Sequence, residues 1–303
     1  MNLADHIQLH HRSLKNQYQI SVLVPSWNNL PYLKLCIGSL QKHSQPGIQI
    51  IVVANEAKDG TLDWLLSQEE LDFVYSPLNL GICFGLNAAR PLVKGHYIAY
   101  LNDDMYVLPN WDRVLLDHAT QLNTQNFMLS GTMIEPQPTG NPCVVVGDFG
   151  QNLETFQEEA LLKNAPDLKR NDWNGSSWPP ILMPLVLWDL VGGMSIEYSP
   201  GMYSDPDLSR KLYAAGVRIF KGCGHSLVYH FGSKSTKRVN KNKGRYTFLL
   251  KWGISSAQFY RAVLKMGGPF TNPLSTPKIP KTLATLKRIL ATIKMHNNTT
   301  HGV

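Results

Sequence analysis

The first half of the chain alternates two apolar patterns. Continuous apolar runs at 19–24, 49–53, 73–75, 96–101 and 127–133 have the length and the β-branched and aromatic content of buried strands. Between them lie segments with helix signals. Asn29 can cap a helix that has Pro31 in its first turn and runs to about Gln41. Asp59-Gly60-Thr61 turns the chain into a short helix through Leu66. Asn79-Leu80-Gly81 leads into a helix ending at Lys94-Gly95, where glycine suits a left-handed stop, and another helix spans about 110–122. Strand and helix in regular succession predict an α/β fold, a mostly parallel sheet with helices on both faces.

The second half is less regular. Residues 135–180 are rich in Pro, Asn and Gly and read as irregular structure lying over the sheet. Residues 183–190 look like a strand passing into a short helix closed by Gly192-Gly193. A helix at 206–215 stops at Gly216, and short strands follow at 217–220 and 227–230. From Gly232 onward the helical stretches 247–265 and 281–294 are basic, separated by a proline-rich connector at 269–280. The last helix places Leu283, Leu286, Ile289 and Leu290 on one face, extended by Ile293. The expected organisation is a tail at 1–18, an α/β domain at 19–235 and a basic helical extension at 236–303.

Composition supports a globular chain, with 43% hydrophobic and 17% charged residues over 303 positions. No apolar run reaches the roughly 18 residues that span a bilayer, and the histidine-rich start is unlike a signal peptide, so a cytoplasmic protein is expected. Cys36, Cys83, Cys143 and Cys223 lie far apart without metal-knuckle spacing and read as buried thiols. The net charge of +7 hides an asymmetry: residues 1–207 carry 11 Lys and Arg against 22 Asp and Glu, whereas residues 208–303 carry 18 against none. A basic block of that kind commonly meets polyanions.

Two acidic clusters and a histidine stand out as candidate chemistry. Asp103 and Asp104 follow the apolar run 96–101. Two carboxylates at a strand's carboxyl end are costly to hold together unless a cation lies between them, and a divalent metal carrying a phosphorylated ligand would supply it. Ser204-Asp205-Pro206-Asp207-Leu208 opens a helix, and His230 ends a strand. Each also has a plainer account. An Asp pair can be a solvated turn, acids favour a helix amino terminus by about 0.3–1 kcal/mol, and a lone histidine is commonly a core or surface residue.

Taken in order, four segments resemble the family 2 glycosyltransferases of the GT-A, Rossmann-like fold, over roughly residues 20–236. They are Val24-Pro25-Ser26-Trp27-Asn28; Ile51-Val52-Val53-Ala54-Asn55 with Asp59-Gly60-Thr61; Asn79-Leu80-Gly81 through Asn87 to Asn102-Asp103-Asp104; and Trp188 to Gly193 followed by Ser204 to Leu208 and Arg210. The resemblance implies that Pro25, Ser26, Asn28 and Asn55, with Asn79 and Asn87, line a nucleotide pocket. It implies that Asn102-Asp103-Asp104 stands for the D-x-D motif, with Asp103 approaching the ribose and Asp104 holding Mn²⁺ or Mg²⁺. His230 would complete the metal or diphosphate site, and Asp205 would be the catalytic base. Asn79 and Asn87 can equally serve turn and cap geometry. Ala54 stands where many members have Asp, Asn102 replaces the first Asp of the motif, and Ser204 and Pro206 replace the commoner acidic neighbours of the base, which leaves Asp207 as an alternative to Asp205.

The implied activity is inverting, metal-dependent transfer of a sugar from a nucleotide-diphosphate sugar, UDP preferred, to a glycan or lipid-linked acceptor. Trp173, Trp178 and Trp188 are candidates for a sugar platform, although tryptophan is commonly core. Lys234 and Arg238 are candidates to neutralise the leaving group. A sugar-nucleotide nucleotidyltransferase is the rival enzyme, but the glycine- and basic-rich loop it needs after the first strand is replaced by Ser26-Trp27-Asn28-Asn29-Leu30. A nucleic-acid-binding protein is the rival from another class. Neither an aromatic-basic strand signature nor a recognition helix is present, so no nucleic-acid partner is expected. The basic helix at 281–294 is instead expected to give peripheral contact with an anionic membrane, or else to dock on the catalytic domain.

Overall fold

The apolar runs pair into one eleven-stranded sheet. The computed structural model describes residues 6–12, 16–232, 242–275, 277 and 281–297. In chain order the strands are β1 Gln8–His10, β2 Tyr18–Trp27, β3 Ile48–Asn55, β4 Asp72–Ser76, β5 Gly95–Tyr100, β6 Met105–Val107, β7 Phe127–Glu135, β8 Val145–Val146, β9 Trp173–Asn174, β10 Ile181–Pro184 and β11 Ile219–His230. Their order across the sheet is β1-β4-β3-β2-β5-β10-β7-β11-β6, with β8 beside β7 and β9 beside β11. The helices are α1 Leu30–His43, α2 Thr61–Leu66, α3 Gly81–Ala88, α4 Trp111–Gln121, α5 Glu158–Asn164, α6 Leu185–Val191, α7 Ser204–Ala214, α8 Gly244–Trp252, α9 Ser256–Gln258 and α10 Lys281–Asn297.

Alternation along each strand sorts the core into two layers. Leu23, Ile51 and Val53 face Leu86 of α3, Leu187 of α6 and Leu208 and Leu212 of α7. Val22, Val24, Val52 and Ala54 face the other way, against Leu33 and Ile37 of α1 and Trp111 and Leu115 of α4. Both faces being covered explains why these strands read as unbroken apolar runs. Phe248, Ile254, Phe259, Val263, Leu264 and Leu274 belong to the first layer. The segment expected as an appended extension thus builds a wall of the same core up to residue 274. The four cysteines are free and buried.

The structure departs from the expected pattern at several points. The sheet is mixed: β4-β3-β2-β5 and β7-β11 are parallel, but β10 runs antiparallel between β5 and β7. β10 is reached from the irregular stretch after β9, without a helical crossover to impose parallel direction. The two strands expected at 217–220 and 227–230 form one strand, β11, with a register shift between Cys223 and Leu227. The helix expected to reach Lys94 ends at Ala88 and passes into a 3-10 turn, Arg90–Leu92, because Pro91 has no amide proton to continue it. Gly95 is not a left-handed stop but the start of β5, where a Cβ would lie 2.4 Å from the Ser21 amide nitrogen.

Candidate active site

A cavity of about 530 Å³ opens at the carboxyl ends of the central strands. β2 contributes Pro25, Ser26 and Trp27, β3 contributes Asn55, the turn before α3 contributes Asn79, and the exit of β5 contributes Asn102, Asp103 and Asp104. The loop before α7 and the start of that helix close the wall with Met202, Tyr203 and Asp205. Trp178, Ser256 and Tyr260 complete it.

Hydrogen bonds fix the polar rim. Ser26 Oγ donates to Asp103 Oδ2 at 2.7 Å, and Tyr100 Oη donates to Asn102 Oδ1 at 3.1 Å. Asn55 Oδ1 accepts from the Leu80 amide at 3.0 Å, tying the end of β3 to the turn before α3. Asn79 both lines the cavity and accepts from the Gly81 amide at 2.8 Å, where glycine holds φ at +69°. The cap account of Asn79 therefore applies together with its place in the wall.

Asp104 is the first of three buried residues in contact, with His230 and Glu135 behind it. The parallel register of β7 and β11 pairs Tyr229 with Ile134, which sets the last residues of both strands, His230 and Glu135, side by side. His230 Nδ1 is 2.7 Å from Glu135 Oε1, and Nε2 is 3.4 Å from Asp104 Oδ1. Burial alone would lower the imidazole pKa, but the Asp104 and Glu135 carboxylates outweigh it and push it up to about 10. His230 Nε2 and Glu135 Oε2 are buried without a hydrogen-bond partner. A divalent cation fits this donor set, since Asp104 supplies a hard oxygen and His230 Nε2 an unused nitrogen once its proton is displaced. Among the described residues no three His, Cys, Asp or Glu converge on one point, so an ion there needs further ligands from a bound substrate.

The two acids of α7 have different surroundings. Asp207 is fully buried and accepts from Ser195 Oγ at 2.5 Å and Trp252 Nε1 at 2.7 Å, with Lys251 Nζ 3.0 Å away. Asp205 faces the cavity, its Oδ1 has no partner, and burial raises its pKa to about 7. Two residues along a helix thus separate a structural carboxylate from one poised to take a proton.

Not every candidate reaches the cavity. Asn28 Nδ2 donates to Glu56 Oε2 at 3.1 Å and its Oδ1 accepts from the Lys58 amide at 2.7 Å, outside the wall. Asn87 is paired with the backbone of Met194, giving and receiving bonds of 2.8 Å, and ties α3 to the loop after α6. Trp173 lies flat on Gly222, where a Cβ would sit 1.8 Å from the indole, and Trp188 is core; of the three tryptophans Trp178 alone lines the cavity. Lys234 and Arg238 lie outside the described residues. Sequence reasoning missed Glu135, Ser256 and Tyr260. Glu135 carried a usable signal, an acid closing an apolar run just as Asp103 does. Tyr260 had none, because it sits on a π-helical turn, Phe259–Val263, that follows neither the helix nor the strand period.

Comparison with known proteins agrees with this architecture. Residues 21–142 match the model of Glycosyl transferase family 2. WcaA of Escherichia coli (strain K12), a candidate colanic acid biosynthesis glycosyl transferase, is 26% identical over 164 residues, 50% of this chain and 57% of WcaA. TuaG of Bacillus subtilis (strain 168), a candidate teichuronic acid biosynthesis glycosyltransferase, is 33% identical over 89 residues, 28% of this chain and 35% of TuaG. The chain therefore spans only about half or a third of these relatives. The crystal structure of S. aureus TarS 1-349 superposes with a TM-score of 0.54 at 14% identity, covering 89% of this chain and 69% of that one. The same protein in complex with UDP-GlcNAc matches equally, at 13% identity over 90% of this chain and 71% of the other. Residues 21–142 thus resemble Glycosyl transferase family 2, and the chain as a whole shares the GT-A fold of the TarS structure.

Proposed function

We propose that the protein transfers a sugar, with inversion, from a nucleotide-diphosphate sugar, UDP-linked by preference, to an acceptor hydroxyl. The observation that carries this reading is the presence in one cavity of Asp103 and Asp104 at a strand end and of a separate carboxylate, Asp205, whose pKa burial raises to about 7. The co-crystallised UDP-GlcNAc of the TarS structure supports a uridine donor for this chain.

Pro25, Ser26, Asn55 and Asn79 bind the nucleoside side of the donor, with Asn102 and Asp103 toward the ribose. Asp104 and His230 would hold Mn²⁺ or Mg²⁺, with Glu135 fixing the imidazole. The cation, when bound, neutralises the charge that grows on the departing diphosphate. Asp205 takes the proton of the acceptor hydroxyl as that oxygen bonds to the anomeric carbon and the bond to the diphosphate breaks, releasing the nucleoside diphosphate. Trp178 and Tyr260, whose rings meet edge-on at 5.1 Å, offer an aromatic wall for the acceptor.

The test is a donor screen that records release of UDP, GDP, CMP and dTDP, with and without excess EDTA. UDP release that needs a divalent ion and disappears in Asp104→Ala is the expected result. Turnover undiminished by EDTA or by that substitution would overturn the metal role. Absence of release from every donor would overturn the reaction.

A further inference from the structure

Four large aliphatic side chains of α10, Leu286, Ile289, Leu290 and Ile293, are 62, 53, 58 and 50% exposed. Their spacing of three and four residues lays them along one stripe. The helix is nonetheless docked. Its opposite side carries the buried Ala291 and the Arg288 guanidinium, which lies against Gly253 at the end of α8. Lys243 Nζ donates to the Met295 carbonyl at 3.2 Å, and Lys287 Nζ to Gln258 Oε1 at 3.4 Å. An ordinary surface helix turns its apolar side to the core, and α10 does the reverse. Isolated exposed aliphatics are normal, but a continuous stripe marks a contact surface.

Charge identifies what fits that surface. Lys294 lies beside the stripe, and residues 208–303 as a whole contain 18 Lys and Arg and no Asp or Glu. A second copy of this face would set basic flank against basic flank. A bilayer of anionic lipids is apolar beneath and negative at its rim, which matches both properties. Among the described residues no helix is long and apolar enough to cross a membrane, so such a contact would be peripheral. We propose that α10 seats the protein on an anionic lipid surface through Leu286, Ile289, Leu290 and Ile293, with Lys294 beside them.

The helix is also coupled to the cavity. Lys243 holds the carbonyl of Met295, and its neighbour Asn242 donates from Nδ2 to the carbonyl of Met202, at 3.2 Å in both cases; Met202 lines the cavity. Seating α10 would thus hold this wall of the cavity close to the lipid surface, within reach of an acceptor held in the membrane. That last consequence rests on the proposed transfer reaction; the docking itself does not.

The experiment is sedimentation of the full chain with phosphatidylcholine vesicles, with and without phosphatidylglycerol, over a range of salt. Binding to the anionic vesicles that weakens with salt is expected, together with a loss of roughly tenfold or more in Leu286→Ser/Leu290→Ser. Ile289→Ser/Ile293→Ser is an independent pair should the first fail to fold. Both pairs should keep the nucleotide release of the unsubstituted protein on soluble substrates. Absence of binding to anionic vesicles, equal binding to neutral ones, unchanged binding by the folded variants, or a dimer that the variants convert to monomer without any lipid binding would each overturn the proposal. Failure of nucleotide release in the unsubstituted protein would instead overturn the reaction and leave the docking result standing.

Discussion

Asp205 and Asp207 are two residues apart and should respond in opposite ways to the same change. Asp205→Asn removes the proposed base, so kcat should fall by about 10²–10⁴, or roughly 3–5 kcal/mol of barrier, with donor affinity little altered. Because Asp205 must be ionised and its pKa is raised to about 7, kcat/KM is expected to rise with pH and level off above that value. Its effect on stability has the reverse sense. The folded chain holds this proton more tightly than an ordinary carboxyl at 3.8, so stability falls as pH rises from 3.8 to 7. The penalty approaches the order of 4 kcal/mol, at about 1.4 kcal/mol per pH unit. Asp205→Asn should therefore melt higher than the unsubstituted protein at pH 8 and at a similar temperature near pH 4. Asp207→Asn should lower the melting temperature at pH 8, by about 3 kcal/mol of stability, since it leaves Lys251 without its buried partner. If Asp207→Asn keeps its stability but loses turnover, the roles of the two acids are exchanged.

The elements that were legible in the sequence share one property: each is decided by its own residues. The strands β2, β3 and β7 are covered on both faces and wrote themselves as apolar runs, and Thr61–Leu66 followed its turn signal to the residue. β1 and β6 are three residues each, too short for any period to show, and their existence depends on the neighbour they pair with. The direction of β10 likewise depends on which strands it inserts between. In the cavity, Asp103, Asp104 and Asp205 were visible as acids at element ends. The pairing of Glu135 with His230 was not, because the register of two strands brings the two together from 95 residues apart. Gly222 shows how tightly one such non-local contact is drawn. Its place in β11 leaves no room for a Cβ beside the Trp173 indole, so Gly222→Ala should cost about 3 kcal/mol or more in a denaturant melt. A loss within a few tenths of a kcal/mol would mean that Trp173 can swing aside.

At the scale of the molecule, the strand-end side of the cavity comes from residues 25–104, and its remaining wall is assembled from Trp178, residues 200–206, Ser256 and Tyr260. The segment 244–274 is therefore a structural component of the core as well as part of the cavity. A chain ending at residue 243 loses Phe248, Phe259 and Leu264 from the first core layer and strips Lys251 and Trp252 from Asp207. It should be insoluble, or show far-ultraviolet helicity without a cooperative melt; a soluble, cooperatively melting truncation would mean that the first 243 residues fold alone. The partition of charge gives this dependence a direction in time. With no Asp or Glu after position 207, every Lys or Arg of the last 96 residues that finds an acidic side chain must find it in the first 207, as Lys251 does with Asp207 and Glu197 and Lys221 with Asp172. Translation from the amino terminus delivers these acids first, so the basic last third emerges from the ribosome when its counter-charges are already in the chain. Counter-charge and charge thus appear in a fixed order along the growing chain, and a circular permutant that begins at residue 208 would present its basic third before any acidic partner existed.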